Sequence, residues 1–331
     1  MRLFVFIFFS LYAATHVYAF LKARAALGFG PKGGLLLSLI MLFMVISPAL
    51  IRVLEREGFP LAARLAAYIG YTWLGVFFLF LSISLLIDLF RLLIFLGEIA
   101  LKKGFPPFSL SSRAAFFAPL FLSVALATFG YFGALGIHTE KIVFKSPKIP
   151  LETGQLKVAQ ISDVHLGVIV RKGRLLRILR PVKEFAPDIL VSTGDLVDGQ
   201  PSDMATIAES LRDLKPRYGK FAVAGNHEYY AGLHQSLQFL KKAGFTLLRG
   251  ERADVAGISI AGVDDPTGKY FGLYRDISDS KLLSSTSNGR FVVFLKHRPL
   301  VEEDALSFFD LQLSGHTHKG QIFPFTLLTR L

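Results

Sequence analysis

The stretch LKVAQISDVHLG, Leu156–Gly167, decides what kind of fold this chain adopts. Its first half is a short apolar run of strand length. Its second half is polar and sets Asp163 and His165 one residue apart. An apolar run of about four to eight residues bounded by a turn reads as a buried strand. The same pattern recurs downstream. DILVST (188–193) runs into GDLVD, KFAVA (220–224) into GNHEYY, ISIAGV (258–263) into DDP, FVVFLK (291–296) into HRP, and DLQLS (310–314) into GHTH. Helical patterns fill several gaps. GRLLRILRPVKEF is basic and amphipathic, SDMATIAESLRDL opens on Ser202 as an expected N-cap, and HQSLQFLKKAG ends at a glycine. Strands alternating with helices predict an α/β domain.

Residues just beyond the C-terminal ends of neighbouring strands converge in such a sheet. Five of the eight histidines, His165, His227, His297, His316 and His318, fall in these strand-end clusters. Aspartate, neutral imidazole and side-chain amide suit divalent Mn, Fe, Zn, Co or Ni. The candidate ligands are Asp163, His165, Asp195, Asn226, His297, His316 and His318. That is more than one open catalytic ion uses. With one carboxylate bridging, the set fits two ions, which at about 3.5–4 Å apart clamp a phosphate for in-line attack. Ser162, Thr193 and Thr317 stand nearby as supporting partners. Side chains two apart in an extended stretch point the same way, so His316 and His318 are expected to face one centre, with Gly315 allowing a tight turn. His16, His138 and His234 stand alone, and Asp264 and Asp265 read as a turn before Pro266.

The rest of the chain is of another kind. Across 331 residues, 52% are hydrophobic and the mean hydropathy is +0.48, too apolar for an ordinary soluble protein. The excess sits in residues 1–137, which carry 11 Lys/Arg and 4 Asp/Glu; residues 138–331 carry 26 and 21. Four stretches reach the roughly 20 apolar residues a membrane span needs: Leu3–Leu21, Leu35–Val53, Leu65–Leu96 and Ala114–Ile137. The third is long enough to tilt or protrude, and Pro119 in the fourth is a kink that a bundle tolerates. Asp88 is expected near a span end, paired with Arg91 on the same helix face. The expected organisation is a four-helix transmembrane region over 1–137, a linker over 138–155 and a globular domain over 156–331. The bilayer is then one partner, and the protein is a multi-pass protein of the cell membrane. Four crossings put the globular domain on the side of the N-terminus. Arg2 against Lys22, Arg24 and Lys32 points to an extracytoplasmic position. A cleaved signal peptide in place of the first span leaves that side unchanged.

With no cysteine, disulfides and thiolate metal sites are excluded. The globular part has an excess of only five positive charges and no aromatic-interleaved basic platform, so no nucleic acid is expected. The run Arg171, Lys172, Arg174, Arg177, Arg180 reads as a solvated face, with anionic headgroups as a second reading.

The set Asp163-x-His165, Gly194-Asp195-x-x-Asp198, Gly225-Asn226-His227-Glu228, His297 and Gly315-His316-Thr317-His318 resembles the calcineurin-like metallophosphoesterases, over about Leu156 to Phe325. GNHEYYAG and DLQLSGHTHKGQIFPF are most similar to its membrane-anchored bacterial branch and to the animal transmembrane proteins of the family. The resemblance implies a four-layer αββα sandwich. It implies that Asp163, His165, Asp195 and His318 hold one metal, that Asp195 bridges, and that Asn226, His297 and His316 complete a second. It implies that His227 contacts the phosphate and protonates the leaving oxygen. Asp198 is expected to orient the site or cap a helix, and Glu228 to make a structural hydrogen bond. The implied cofactors are two divalent ions such as Mn, Fe or Zn. The implied reaction is attack by a metal-bridging hydroxide on a phosphodiester or pyrophosphate bond of a phosphorylated small molecule or lipid-linked substrate. A phosphomonoesterase or nucleotidase on the same metals, and an inactive membrane binding module, stay open beside it. Lys319 stands where many relatives have glycine. The branch usually continues past Pro324-Phe325 with another strand pair, so a chain ending at Leu331 reads either as a truncated form or as a sandwich that lacks an edge.

Overall fold

The computed structural model describes residues 2–102, 110–199, 204–286 and 289–318. Ser202, Lys319 and the segment 320–331 therefore lie outside the described residues. The chain divides into two compact units, Met1–Ile137 and His138–Leu331.

The first unit contains four helices, α1 (Arg2–Leu27), α2 (Pro31–Arg56), α3 (Pro60–Leu101) and α4 (Ser112–Leu135). Proline opens α2 and α3, where its missing N–H costs nothing. Ser111 caps α4 by accepting from the Ala114 N–H. All four are long and apolar enough to cross a membrane, and rows of exposed Leu, Ile and Phe cover them. With 42 residues, α3 is about 63 Å long at ~1.5 Å per residue, twice a hydrocarbon core of about 30 Å. Ala63, Ala66, Ala67 and Gly70 of α3 are buried. A Cβ on Gly70 would lie 2.5 Å from Ser47 Oγ of α2, so small residues let these two backbones approach. The Trp73 indole N–H donates to His16 Nε2 at 3.0 Å. Asp88 accepts from Tyr18 (2.6 Å) and Lys22 (3.0 Å) of α1, and the expected partner Arg91 contributes only its charge. A cation and a hydroxyl at one spot satisfy a half-buried carboxylate better than a lone cation on its own helix.

In the second unit, β1 (Val158–Ile161), β2 (Ile189–Ser192), β3 (Lys220–Ala222) and β4 (Thr246–Leu247) form a parallel sheet in chain order. A second sheet starts with the antiparallel pair β5 (Glu251–Val255) and β6 (Ile258–Gly262) and continues in parallel through β7 (Phe291–Leu295) and β8 (Leu311–Leu313). The helices are α5 (Lys172–Phe185), α6 (Met204–Arg212), α7 (Asn226–Tyr230), α8 (Leu233–Lys242) and α9 (Asp279–Ser284).

Strand periodicity sorts the core into layers. Ile189 and Val191 of β2 meet Ile258, Ile260, Val293 and Leu295 of the opposite sheet. Between them, Leu190 faces the other way, toward Leu175 and Leu179 of α5, Leu211 of α6 and Leu240 of α8. On the far side, Val292 and Phe294 of β7 pack on Leu282 and Leu283 of α9. The order helix, sheet, sheet, helix is the four-layer αββα sandwich. Each fully buried Leu, Ile, Val or Phe contributes about 1.5–3 kcal/mol. At the base of β3, buried Lys220 donates to Leu211 O (2.8 Å) and Ala243 O (2.6 Å), closing the ends of α6 and α8 on the strand. The C-terminal ends of β1, β2, β3, β7 and β8 lead into the polar segments taken up next.

Candidate metal centre

The polar segments leave their strands in an uncommon way. Asp163, His165, Asp195, His316 and His318 have φ of 53°, 53°, 51°, 71° and 49°. This left-handed backbone costs a non-glycine residue roughly 1–2 kcal/mol, and such strain gathers at functional sites. Five of the seven candidate ligands carry it. His316 and His318 therefore do not share a face by standing in an extended strand, as the sequence suggests; each turns the chain. Gly315 is not among the positive-φ residues. It supplies room: a Cβ there would collide with Ser162 Oγ and the Asp163 carboxylate.

These turns bring all seven candidates together. Asp195 Oδ2 lies 3.2 Å from His297 Nε2 and 3.9 Å from His165 Nε2. Its Oδ1 accepts from the His227 N–H at 2.8 Å. On one side, His165 Nε2 is 3.1 Å from His318 Nε2, which is 3.5 Å from Asp163 Oδ1. On the other, His297 Nε2 is 3.2 Å from Asn226 Oδ1 and 3.3 Å from His316 Nδ1. Three groups result, Asp163–His165–His318, His165–Asp195–His227 and Asp195–His297–His316, each with its ligand atoms within 4.8 Å. They share His165 and Asp195 and so form one row. Ring nitrogens and carboxylate oxygens bearing electron pairs crowd together there, a donor set that fits divalent cations.

Surrounding groups fix the row. His297 Nδ1 donates to the Thr193 carbonyl at 2.8 Å, which leaves Nε2 facing the centre. Thr193 thus helps through its main chain, while its hydroxyl accepts from Gln160. Ser162 Oγ has no hydrogen bond among the described residues. Asp163 Oδ1 accepts from the His316 N–H at 2.9 Å, tying the turn after β8 to the turn after β1. Fully buried Glu228 accepts from the N–H of Asp195 (2.9 Å), Val197 (2.9 Å) and Gly225 (2.8 Å). Its carboxylate clamps the loops after β2 and β3. Burial, then the charge of Asp195, pushes it up to about 7 against those three donors.

Charge follows the same map. Burial opposes ionisation of Asp195, yet the His297 hydrogen bond and charge hold it below the usual carboxylate range. Burial likewise opposes a charged His297, but Asp195 raises it to about 9. His165 is lowered by burial and the charge of His227. His227 lies edge-on to the His165 ring, centroids 4.4 Å apart. Its Nδ1 meets Asp198 Oδ1 at 2.6 Å. Burial lowers His227, and Asp198 outweighs it, so the net shift is upward. Asp198 therefore orients His227 and favours its charged form.

Beyond His227, the Tyr230 ring lies 5.5 Å away and Phe271 a further 6.2 Å. Tyr230 is 52% exposed and Phe271 39%, an aromatic rim that the sequence reading missed. It also read Asp264 and Asp265 as a simple turn. Asp265 does cap a 3-10 helix over Pro266–Phe271, but both acids are buried and paired with arginines remote in sequence, Arg249 and Arg298. His16, His138 and His234 lie outside the row.

Residues 156–320 match the family described as calcineurin-like phosphoesterase. An uncharacterized metallophosphoesterase of Aquifex aeolicus is 42% identical over 206 residues, covering 62% of this chain and 78% of that protein. One from Campylobacter jejuni is 36% identical over 200 residues, 59% of this chain and 52% of the relative. A zebrafish (Danio rerio) protein named as a transmembrane protein with metallophosphoesterase domain is 34% identical over 229 residues, 64% of this chain and 52% of its own length. The chain thus spans about half the length of the latter two.

Proposed function

Because this chain belongs to the calcineurin-like metallophosphoesterase family, we propose that it is a membrane-anchored, dinuclear-metal phosphoesterase acting on a phosphodiester or pyrophosphate bond. The observation that carries the reading is Asp195, whose Oδ2 lies between His165 and His297 with a cluster of donors on either side. Asp163, His165, Asp195 and His318 would hold one ion, and Asn226, His297 and His316, with Asp195, the other. Two such ions would supply a nucleophilic water at neutral pH and neutralise phosphoryl oxygens. The chain's own residues do the rest. Asp198 holds His227 protonated at Nδ1 and turns Nε2 toward the row, so His227 donates a proton to the leaving oxygen. Glu228 keeps the Asp195 and Asn226 loops in register. The rim of Tyr230 and Phe271 supports an apolar leaving group, and with four membrane-length helices it favours a lipid-linked substrate.

The test is hydrolysis of bis-p-nitrophenyl phosphate by detergent-purified protein, metal-stripped and with Mn²⁺ restored, beside Asp195→Asn. Turnover that needs Mn²⁺ and falls at least about a hundredfold in Asp195→Asn is expected. Absence of turnover by folded, metal-loaded protein overturns the phosphodiesterase reading.

A further inference from the structure

Two arginine–aspartate pairs sit near the candidate centre, and they differ. Arg249 grips Asp264 through Nε (2.7 Å) and Nη2 (2.6 Å) and also donates to Leu273 O. Its side chain is 15% exposed, and its role is to neutralise a buried acid. Arg298 grips Asp265 through Nε (2.8 Å) and Nη2 (3.2 Å), and Nη2 also reaches Thr267 Oγ1 (3.1 Å). Among the described residues its Nη1 makes no hydrogen bond, and the side chain is 31% exposed. One edge of the guanidinium is therefore fixed and the other is presented to solvent. Arg298 directly follows His297. Its anchor, Asp265, opens the 3-10 helix Pro266–Phe271, whose Phe271 ring lies 6.2 Å from Tyr230, itself 5.5 Å from His227. Arg298 thus joins the candidate ligand His297 to the segment that carries the aromatic rim.

A rigid cation at this place has one chemical use. The oxygens of a phosphoryl group under attack are taken up by the metals. A guanidinium just outside the ligand ring matches a negative charge next to that group, and Arg binds phosphate oxygens with strong directional bonds. Resting on the phosphoesterase reading above, we infer that Arg298 binds a second phosphate adjacent to the one attacked, and so selects pyrophosphate diesters over simple phosphodiesters. In that reaction water adds to one phosphorus and gives up a proton to solvent, the P–O bond to the bridging oxygen breaks, and the bridge leaves on the other phosphate with a proton from His227, which solvent then restores. No electrons are exchanged.

The experiment compares kcat/KM of full-length, Mn²⁺-loaded protein on ADP-ribose, a pyrophosphate diester, and on thymidine 5′-phosphate p-nitrophenyl ester, a simple one. Removing Arg298 alone strands buried Asp265, so the variants are Arg298→Lys and the charge-balanced Asp265→Asn/Arg298→Gln. The expected result is that the pyrophosphate-to-diester ratio falls by about ten- to hundredfold in the double variant, mainly through KM, and less in Arg298→Lys. Loss of both activities by the same factor overturns the inference in favour of a purely structural pair. Wild-type turnover of the simple ester alone overturns it too, and leaves the phosphoesterase reading standing. Turnover of neither ester by the wild type overturns both.

Discussion

On the role proposed for His227, its proton sets a pH limit that belongs to a single residue pair. The Asp198 carboxylate raises His227, so the imidazole stays cationic to a higher pH than an isolated one. A general acid works only while protonated. Activity is therefore retained below the His227 pKa and lost as pH rises through it. Asp198→Asn removes the negative partner and lowers that pKa. The alkaline limb of the kcat/KM profile is expected to move to lower pH, and alkyl esters should lose more rate than nitrophenyl esters, whose leaving group needs little help. An unchanged limb would remove His227 from the role of acid. His227 was visible in the sequence as one letter of a motif. Asp198 was named there too, as a residue expected to orient the site; the sequence did not show that it does so by pairing with His227, 29 positions away.

At the scale of elements, the turn after β8 is wedged against the turn after β1. Gly315 fits only because it has no side chain. Gly315→Ala forces Ser162 and Asp163 to move while the buried strands stay where they are. The expected outcome is unchanged far-UV circular dichroism with at least about tenfold weaker metal binding, read by titration of the stripped protein. The β8 turn also shows where pattern reading stops. Strands such as β2 and β7 were legible because their side chains are buried on both faces and read as continuous apolar runs. The edge strands β4 and β5 were not: one has two residues, and the other, ERADV, exposes three of its five. The left-handed turns that aim the candidate ligands were invisible as well, since nothing in Asp-x-His announces a positive φ.

For the whole molecule, metal loading and proton release are linked. In the metal-free protein the charge of Asp195 holds His297 protonated up to about 9. An incoming cation must displace that proton. Apparent affinity should then rise with pH by up to about tenfold per unit below that value and level off above it. Calorimetric titration with Mn²⁺ in two buffers of different ionisation enthalpy reads the released proton directly. Equal heats in both buffers would mean that His297 is neutral before the metal arrives.

The bond from the His316 N–H to Asp163 spans 153 positions of the chain. A ribosome adding about 5–20 residues per second makes Asp163 and His165 on the order of ten seconds before it makes His316 and His318. During that interval the membrane helices and β1 are already synthesised, and half of the centre waits for its other half. A centre of the proposed kind would therefore be completed only late in synthesis, and a fragment lacking the turn after β8 would hold an ion poorly.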